Sequence, residues 1–314
     1  MTSTMTMFAS LRIPLEDVVK ATNNFHDDYI IQQNGISTTY KGRLLWSGKE
    51  MKIASRRFDC RHAEGDLKFL NEISVLSDFK HTNMVSIIGF SDEKDEKIII
   101  TTYEATGSLR QYINSPNLTW KQRLRICVGL AQALSYLHYD EGCDYGIIHC
   151  NITSDTILLD ENGEPSYSVG PCEHTGIMGC VDPAIEKTGG VTHKSDIYSF
   201  GVVLFEILFD MKALIHNEAD MSLAQLAKYH YEKGTLPHII HPPLLNQILS
   251  RHSLRIYSNV AYSCLNDDRA HRPDMHHIVA ELEKALELQL PYENIVRPFF
   301  YFIIYFLVYI ILGW

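Results

Sequence analysis

Apolar and polar positions change their period several times along the chain, and each change predicts a new kind of secondary structure. Residues 11–25 predict a short amphipathic helix, in which Pro14 suits the first turn. Residues 29–58 alternate apolar and polar positions with glycines between them, as antiparallel strands do. Residues 66–79 switch to helical spacing, and residues 84–103 return to strands. The first third of the chain is therefore predicted to be a sheet with one main helix.

The remainder of the chain shows mainly helical periods. Residues 118–139 place apolar side chains on one face and predict a long buried helix. Residues 195–209 are almost wholly apolar and predict a central helix. Further helical patterns cover three stretches, 221–232, 253–265 and 274–288. The boundary between the sheet-rich and the helical part falls near residues 102–107.

Length and composition suit one domain of two lobes, or two small domains, because 46% of the 314 residues are apolar. The net charge of −10 argues against non-specific binding to nucleic acid. Seven cysteines lie scattered without a C-x-x-C pair, which predicts reduced thiols of a cytosolic protein rather than a disulfide framework or a zinc site. Residues 1–12 lack the apolar core of a secretory signal, so a cytoplasmic location is expected.

The carboxyl-terminal stretch has a different composition. Every residue from Phe299 to Trp314 is apolar, aromatic or glycine. As a helix this stretch would span about 24 Å, against a hydrocarbon core of about 30 Å. Three interpretations stay open: a membrane tail anchor, an artefact of the gene model, and a strand or helix docked on the fold. Only Arg297 flanks the stretch with charge, which weakens the anchor interpretation.

Residues 147–159 have the outline of the catalytic loop of protein kinases, whose pattern is H-R-D-L-x-x-x-N. Four other segments look like further kinase motifs in the right order: 68–77, 120–138, 194–202 and 270–275. The sequence Ala-Thr-Asn-Asn-Phe at 21–25 looks like the start of plant receptor-like kinase domains. The chain therefore resembles the protein kinase superfamily, in the plant receptor-like kinase group, from about residue 11 to residue 290.

The resemblance implies an α+β, bilobal protein-kinase fold. Its small N-lobe would be an antiparallel sheet with one main helix, and its larger C-lobe would be mainly helical. Residues 1–28 would form an N-terminal extension with a short helix, and residues 29–290 the kinase-like domain. The N-lobe is expected at 29–103 and the C-lobe at 107–290, followed by the apolar tail at 291–314.

The loop that covers ATP phosphates in the family is degenerate here. Glycines are used in that loop because backbone without side chains can approach the phosphates closely. The three glycines of G-x-G-x-x-G correspond to Gln32, Asn34 and Ser37. An ordinary hairpin with Asn34 and Gly35 as its turn is therefore the better interpretation.

The phosphate-binding lysine of the family corresponds to Arg56, and the helix glutamate that pairs with it corresponds to Glu72. An Arg56–Glu72 pair is expected as structure. A phosphate clamp is not expected, because the planar guanidinium does not replace an ammonium group at such a site. A slip of register would bring Lys52 to the pocket instead, but would move Ala54 off its position.

The catalytic loop keeps its apolar frame and loses its chemistry. His149 stands at the first motif position, and Asn151 stands where the family has its aspartate base. The amide of Asn151 cannot accept a proton at neutral pH. Thr153 replaces the lysine that steadies the γ-phosphate, and Cys150 replaces the arginine that reads activation-segment phosphate. The resemblance thus implies that no catalytic residue is intact.

The two magnesium ligands of the family correspond to Thr156 and Val169. Neither residue is a carboxylate or an amide, and valine offers no oxygen ligand to a hard cation. Asp155 is near in sequence and is expected to be solvated or to cap a turn. The glutamate of the A-P-E motif corresponds to Ala184, so its usual partner Arg272 must find Glu186, another acid or water.

Several positions that shape the adenine pocket persist. Ala54 and Leu158 correspond to the two faces of the adenine slot, Thr101 to the gatekeeper, and Tyr103 to the hinge. Core packing explains all of these residues without any nucleotide. Whether ATP binds weakly, or without metal, stays open.

The sequence therefore predicts a pseudokinase that acts as a binding, scaffold or allosteric partner of active receptor-like kinases. The alternative is a weak or unconventional ATP-dependent Ser/Thr/Tyr kinase, in which Arg56 and Asp155 take over lost roles. No nucleic-acid partner is expected, and residues 299–314 would provide membrane contact in the anchor interpretation.

Overall fold

The computed structural model describes the following residues: 8–33, 35–46, 48–59, 63–78, 80–104, 107–115, 118–139, 146–167, 180–211, 213, 221–248 and 250–289. The chain divides into two compact units. The N-terminal unit contains Met1–Gly107 with Leu159–Glu161 and Ser166–Pro171, and the C-terminal unit contains the remainder.

Five antiparallel strands form the sheet of the N-terminal unit, in the order β1-β2-β3-β5-β4. They are β1 (Ile30–Gln33), β2 (Ser37–Trp46), β3 (Lys49–Phe58), β4 (Ile87–Ser91) and β5 (Ile98–Thr102). The strands predicted within 29–58 and 84–103 are confirmed. The β2–β3 hairpin is the longest pairing and runs from Ser37 opposite Phe58 to Trp46 opposite Lys49.

Within the described residues, the N-terminal unit also contains the α-helices α1 (Leu15–Ala21) and α2 (Ala63–Asp78). Apolar side chains of α2 share one core with the sheet, and they are Phe69, Ile73 and Leu76. The Phe69 ring meets Phe58 and Phe90 edge-to-face, with centroids 5.9 and 6.0 Å away. The main helix of the small sheet is therefore where the apolar period predicts it.

Helix α1 is shorter than the predicted range of 11–25. The Thr22 hydroxyl donates to the Val18 carbonyl at 2.8 Å and accepts from the Phe25 amide at 3.3 Å. Residues 23, 24 and 25 then take left-handed φ angles of 49°, 58° and 52°. An α-helix cannot continue through left-handed residues, and asparagine tolerates this conformation better than most side chains.

The N-terminal segment packs into the sheet of its unit. The Ile13 amide donates to the Phe90 carbonyl at 2.8 Å, and Val18 is fully buried. At Gly42 in β2, a Cβ atom would lie 2.6 Å from the Ala21 carbonyl oxygen at the end of α1. Only glycine allows this close approach of helix to strand.

Helices dominate the C-terminal unit. They are α3 (Leu109–Tyr112), α4 (Trp120–Tyr139), α5 (Ala184–Thr188), α6 (His193–Phe209), α7 (Leu223–Glu232), α8 (Pro242–Leu245), α9 (Arg251–Cys264) and α10 (275–289). The five longest confirm the predicted helices, and α6 is the buried centre. At Gly201 in α6 a Cβ atom would lie 2.6 Å from the Cys264 Cβ atom, so the two helices pack closely there.

Three short strands, β6 (Gly107–Ser108), β7 (Ile157–Leu159) and β8 (Pro165–Tyr167), form a second sheet in that order. Across the portions that the structure describes, no helix has both the length and the apolar character needed to cross a membrane. The tail at 299–314 lies outside those portions.

One cysteine differs from the expectation of reduced thiols. Cys150 is disulfide-bonded. Cys127, Cys180 and Cys264 are free and buried. Sequence spacing could not show this bond, because disulfide pairing depends on which cysteines the fold brings together.

Candidate functional site

The predicted ion pair between Arg56 on β3 and Glu72 on α2 is present. Arg56 Nη1 donates to both carboxylate oxygens of Glu72, at 2.8 and 3.0 Å. The Glu72 side chain is 3% exposed and the Arg56 side chain 19%. Burial raises the pKa of Glu72, although the charge and the hydrogen bond of Arg56 lower it. Lys52 is half-exposed and forms an ion pair with Glu161, so the alternative register is wrong.

Three other predicted pocket residues lie together where β3 pairs with β5. Ala54 stands opposite Thr101 in the strand register. The Thr101 hydroxyl donates to the Ala54 carbonyl at 3.5 Å, and the Tyr103 amide donates to the Lys52 carbonyl at 3.3 Å. All three predicted residues are partly exposed. Of the three residues predicted at the phosphate-loop positions, Gln32 lies in an exposed part of β1 and Ser37 begins β2, whereas Asn34 lies outside the described residues.

In the C-terminal unit, Asp196 of α6 fixes the start of the catalytic-type loop. Its carboxylate accepts from the main-chain amides of His149 at 2.7 Å and of Cys150 at 2.9 Å. His138 Nε2 of α4 lies 3.0 Å from the same carboxylate. Cys150 takes a left-handed φ of 63° at this turn. The start of the loop is therefore held by hydrogen bonds from its main-chain amides to Asp196.

The hydroxyl groups of Thr153 and Thr156 form hydrogen bonds within the rest of the loop. The Thr156 hydroxyl contacts the carbonyl oxygens of Asn151 at 2.8 Å and Thr153 at 3.1 Å. It also accepts from the Thr153 amide at 3.1 Å, while the Thr156 amide donates to the Thr153 hydroxyl at 3.2 Å. Short hydroxyl side chains compete readily for nearby backbone groups in this way. The hydroxyl oxygen of Thr156, at the predicted metal position, is therefore hydrogen-bonded within the loop.

These residues do not fit magnesium as the family holds it. Mg²⁺ needs near-octahedral oxygen ligands and is usually bound through carboxylates and phosphates. Thr156 supplies one engaged hydroxyl, and Val169 lies outside the described residues. Asp155 forms an ion pair with Arg110 at 3.0 Å, and Arg110 also contacts buried Glu206 at 2.9 Å. Within the described ranges, no three His, Cys, Asp or Glu side chains come together as a metal site.

The partner of Arg272 is Asp182, which the sequence did not single out. Arg272 Nη2 donates to Asp182 Oδ1 at 2.8 Å, and Arg269 Nε donates to Asp182 Oδ2 at 2.7 Å. Burial by itself raises the pKa of Asp182, but hydrogen bonds from Arg272, the Ala184 amide and Arg269 outweigh it and lower the pKa to about 2. The expectation of another acid was therefore correct, and the named candidate Glu186 was wrong.

The predicted site residues thus fall into two groups, one in each unit. The N-terminal unit groups Ala54 with Thr101 and Tyr103, and pairs Arg56 with Glu72. The C-terminal unit places Asn151 and Thr156 in one loop, and half-buried Leu158 follows on β7. The sequence did not indicate the hydroxyl network at Thr153 and Thr156. Two threonines three residues apart in a turn were the available signal.

Comparisons with known proteins show similarity to protein kinase domains. The sequence matches the family described as protein tyrosine and serine/threonine kinase over residues 31–167 and 181–282. It is 36% identical over 303 residues to a probable receptor-like protein kinase of Arabidopsis thaliana, covering 89% of this chain and 35% of that protein. It is also 36% identical over 292 residues to the receptor-like protein kinase FERONIA of Arabidopsis thaliana, covering 87% and 32%.

The chain spans about a third of the length of these relatives. Among solved structures, it is similar to the pseudokinase domain of BIR2, described as an immune regulator of the RLK/Pelle family. The TM-score is 0.73 at 28% sequence identity, and the similarity covers 88% of this chain and 87% of that one. The bilobal kinase fold, with its antiparallel-sheet N-lobe and helical C-lobe, is therefore confirmed.

Proposed function

Because this chain belongs to the protein tyrosine and serine/threonine kinase family, in its plant receptor-like group, we propose that it is a pseudokinase that works by binding. One observation carries the proposal. Asn151 stands at the base position, and the Thr156 hydroxyl at the metal position is bound to the carbonyl of Asn151 itself. The hydroxyl at the predicted metal position is therefore already engaged within the loop.

An asparagine at the base position is expected to slow phosphoryl transfer strongly. A general base contributes about 10²- to 10⁴-fold to rate, and an asparagine amide cannot take that role at neutral pH. Phosphoryl transfer depends on positioning and on metal ions that neutralise developing charge. Losses at groups that act as a unit do not add as free energies. Restoring one position alone is therefore not expected to restore catalysis.

The role that suits these features is that of a scaffold or allosteric partner of an active receptor-like kinase. The supports are the intact cores of both units and the similarity to the BIR2 pseudokinase domain. We place the protein on the cytoplasmic side, where the kinase domains of receptor-like kinases act. Membrane contact through residues 299–314 is a separate part of the proposal, and fractionation of the full chain against a chain ending at Arg297 tests it.

Radiolabelled ATP with the purified full chain tests the proposal. The kinase domain of an active receptor-like relative is the positive control, and the Glu72→Ala variant is the negative control. We expect label on this chain or on a generic substrate to stay at the level of Glu72→Ala. Phosphotransfer above that level, lost in Glu72→Ala, would establish the alternative of a weak kinase, which the retained Arg56–Glu72 pair favours.

A second measurement addresses the binding role and the nucleotide. The full chain is added to the active relative, and the rate of that kinase is measured as the concentration of the chain rises. A saturable change in rate supports an allosteric partner. A thermal-shift titration with ATP, with and without Mg²⁺ or Mn²⁺, shows whether nucleotide binds, because a ligand stabilises by RT ln(1 + [L]/Kd). Stabilisation that requires the metal would contradict the degenerate site.

A further inference from the structure

Two apolar cores lie on opposite faces of the sheet in the N-terminal unit. Consecutive residues of β5 divide between them, because Ile99 belongs to the core of α2 whereas Ile98 and Ile100 belong to the core of α1. Side chains of consecutive strand residues point to opposite faces of a sheet. The sheet therefore separates the two cores, and each core contains one of the two helices.

The segment that precedes α1 belongs to the core of the other helix. Residues 8–12 form this segment, which we call the strap. Phe8 is 7% exposed and lies in the α2 core, and Leu11 packs against the same core. The next apolar residue, Ile13, is 1% exposed and lies in the α1 core. The chain thus passes from one face of the sheet to the other between Leu11 and Ile13.

This passage runs around β4, which is the edge strand of the sheet. Arg12 forms a parallel bridge with Phe90, and the Ile13 amide donates to the Phe90 carbonyl at 2.8 Å. A Cβ atom at Gly89 would overlap the Leu11 carbonyl oxygen and lie 2.7 Å from Ile13 Cδ1. Glycine at this position therefore leaves the space in which the strap crosses the edge.

An ion pair fastens the strap at the surface. Arg12 Nη2 donates to Asp92 Oδ2 at 2.9 Å, and the guanidinium carbon lies 5.9 Å from the centroid of the Phe90 ring. The Arg12 side chain is 40% exposed, so solvent screens this pair and it contributes little. Burial of Phe8 and Leu11 is the larger contribution. A short segment held mainly by two apolar side chains can open locally while its unit stays folded.

Phe8 connects the strap to helix α2. It shares the α2 core with Phe90 of β4 and with three residues of the helix, which are Phe69, Ile73 and Leu76. Removing a buried phenylalanine ring leaves a cavity, and the side chains that line it lose their contacts. Release of Phe8 therefore weakens the packing of α2, whereas the α1 core on the other face keeps its own residues.

We propose that the strap is a regulatory device for helix α2. While docked, residues 8–12 hold α2 against the sheet, and their release loosens α2 without unfolding α1. A protein that binds the strap would thereby change the surface that α2 presents. The use of that surface by a partner rests on the proposed function, whereas the control of α2 rests on the arrangement of the two cores.

Hydrogen–deuterium exchange of the full chain tests the strap, read on peptides covering residues 63–78 for α2 and 15–21 for α1. Phe8→Ala should speed exchange of α2 by about tenfold or more and leave that of α1 within about twofold. Leu15→Ala is the matched control, because Leu15 is 8% exposed and lies in the α1 core. It should speed exchange of α1 and not of α2. Ser10→Ala, at an exposed position of the strap, should change neither helix.

The inference is overturned if α2 exchanges no faster in Phe8→Ala than in Ser10→Ala, or if Phe8→Ala and Leu15→Ala speed both helices alike. Gly89→Ala is a second variant should Phe8→Ala fail to fold, because it keeps every apolar side chain and pushes the strap away from β4. It should also speed exchange of α2, and wild-type exchange there would equally refute the strap. Neither readout uses phosphotransfer, so failure of the strap and failure of the pseudokinase proposal are distinguishable.

Discussion

Replacing Asp182 with asparagine tests how far one carboxylate holds the C-terminal unit together. Asp182 accepts from Arg272 at 2.8 Å and from Arg269 at 2.7 Å. The side chains of Asp182 and Arg272 are both 0% exposed. Asparagine keeps the volume and removes the charge that faces two guanidinium groups. The buried Arg272 would then lack its counter-charge.

The pKa of Asp182 gives a first magnitude. The folded chain lowers it from 3.8 to about 2, so the stabilisation is complete above pH 3.8 and is lost as the pH falls toward 2. At ~1.36 kcal/mol per pKa unit, the shift corresponds to roughly 2.5 kcal/mol near neutral pH. Removing one partner of a buried pair costs about 3–5 kcal/mol. We expect Asp182→Asn to lower the free energy of unfolding by about 2.5–4 kcal/mol.

Urea unfolding and thermal melting measure this loss, which should lower the Tm by about 5–15 °C in a domain of this size. Asp267→Asn is the control, because Asp267 pairs with Lys228 at 2.8 Å but is 80% exposed. The control should stay within about 0.5 kcal/mol of wild type. Adding Ala184→Glu to Asp182→Asn returns a carboxylate to the family position and should recover part of the loss. A loss no larger than that of Asp267→Asn would refute the reasoning.

Three further predictions concern pH, the loop and the N-terminal segment. Burial lowers the pKa of His138 and of His149, so the folded chain favours their neutral rings and becomes less stable as the pH falls below about 6.5. A urea-unfolding free energy that stays constant from about pH 7.5 to 5 would contradict this prediction. Thr156→Val removes the hydroxyl that closes the loop and should cost about 1–2 kcal/mol in urea unfolding; an unchanged midpoint would show that the network contributes nothing. Gly42→Ala should cost about 1–3 kcal/mol through its backbone clash. Gly190→Ala, where a Cβ would meet nothing within 4 Å, should be nearly neutral, and equal losses would exclude the clash as the cause.

The fold was predictable because its signals are local and repeated. Helices α4 and α6 are long, and their apolar period extends over many residues, so each was predicted to within two residues at either end. The end of α1 was not predicted, because the apolar period says nothing about the left-handed residues 23–25. A buried threonine that bonds to the preceding turn and to the following amide stops this helix.

One contact of the candidate site was predictable from the sequence, whereas other contacts were not. The Arg56–Glu72 pair follows from two motif positions, and the structure contains it. The partner of Arg272 lies 90 residues away along the chain, and sequence alone offered several acids of equal merit. Choosing Asp182 over Glu186 requires knowing which carboxylate is buried beside the guanidinium. Long-range pairing of this kind depends on tertiary packing and leaves no periodic signal.

Asp196 explains how the start of the catalytic-type loop is held in place. Its carboxylate accepts hydrogen bonds from the main-chain amides of His149 and Cys150, and every non-proline residue supplies such an amide. Substitutions at positions 150 and 151 therefore leave these hydrogen bonds intact. Catalysis, in contrast, needs particular side chains at those same positions. The hydrogen bonds to Asp196 therefore hold the start of the loop without requiring a particular side chain at position 151.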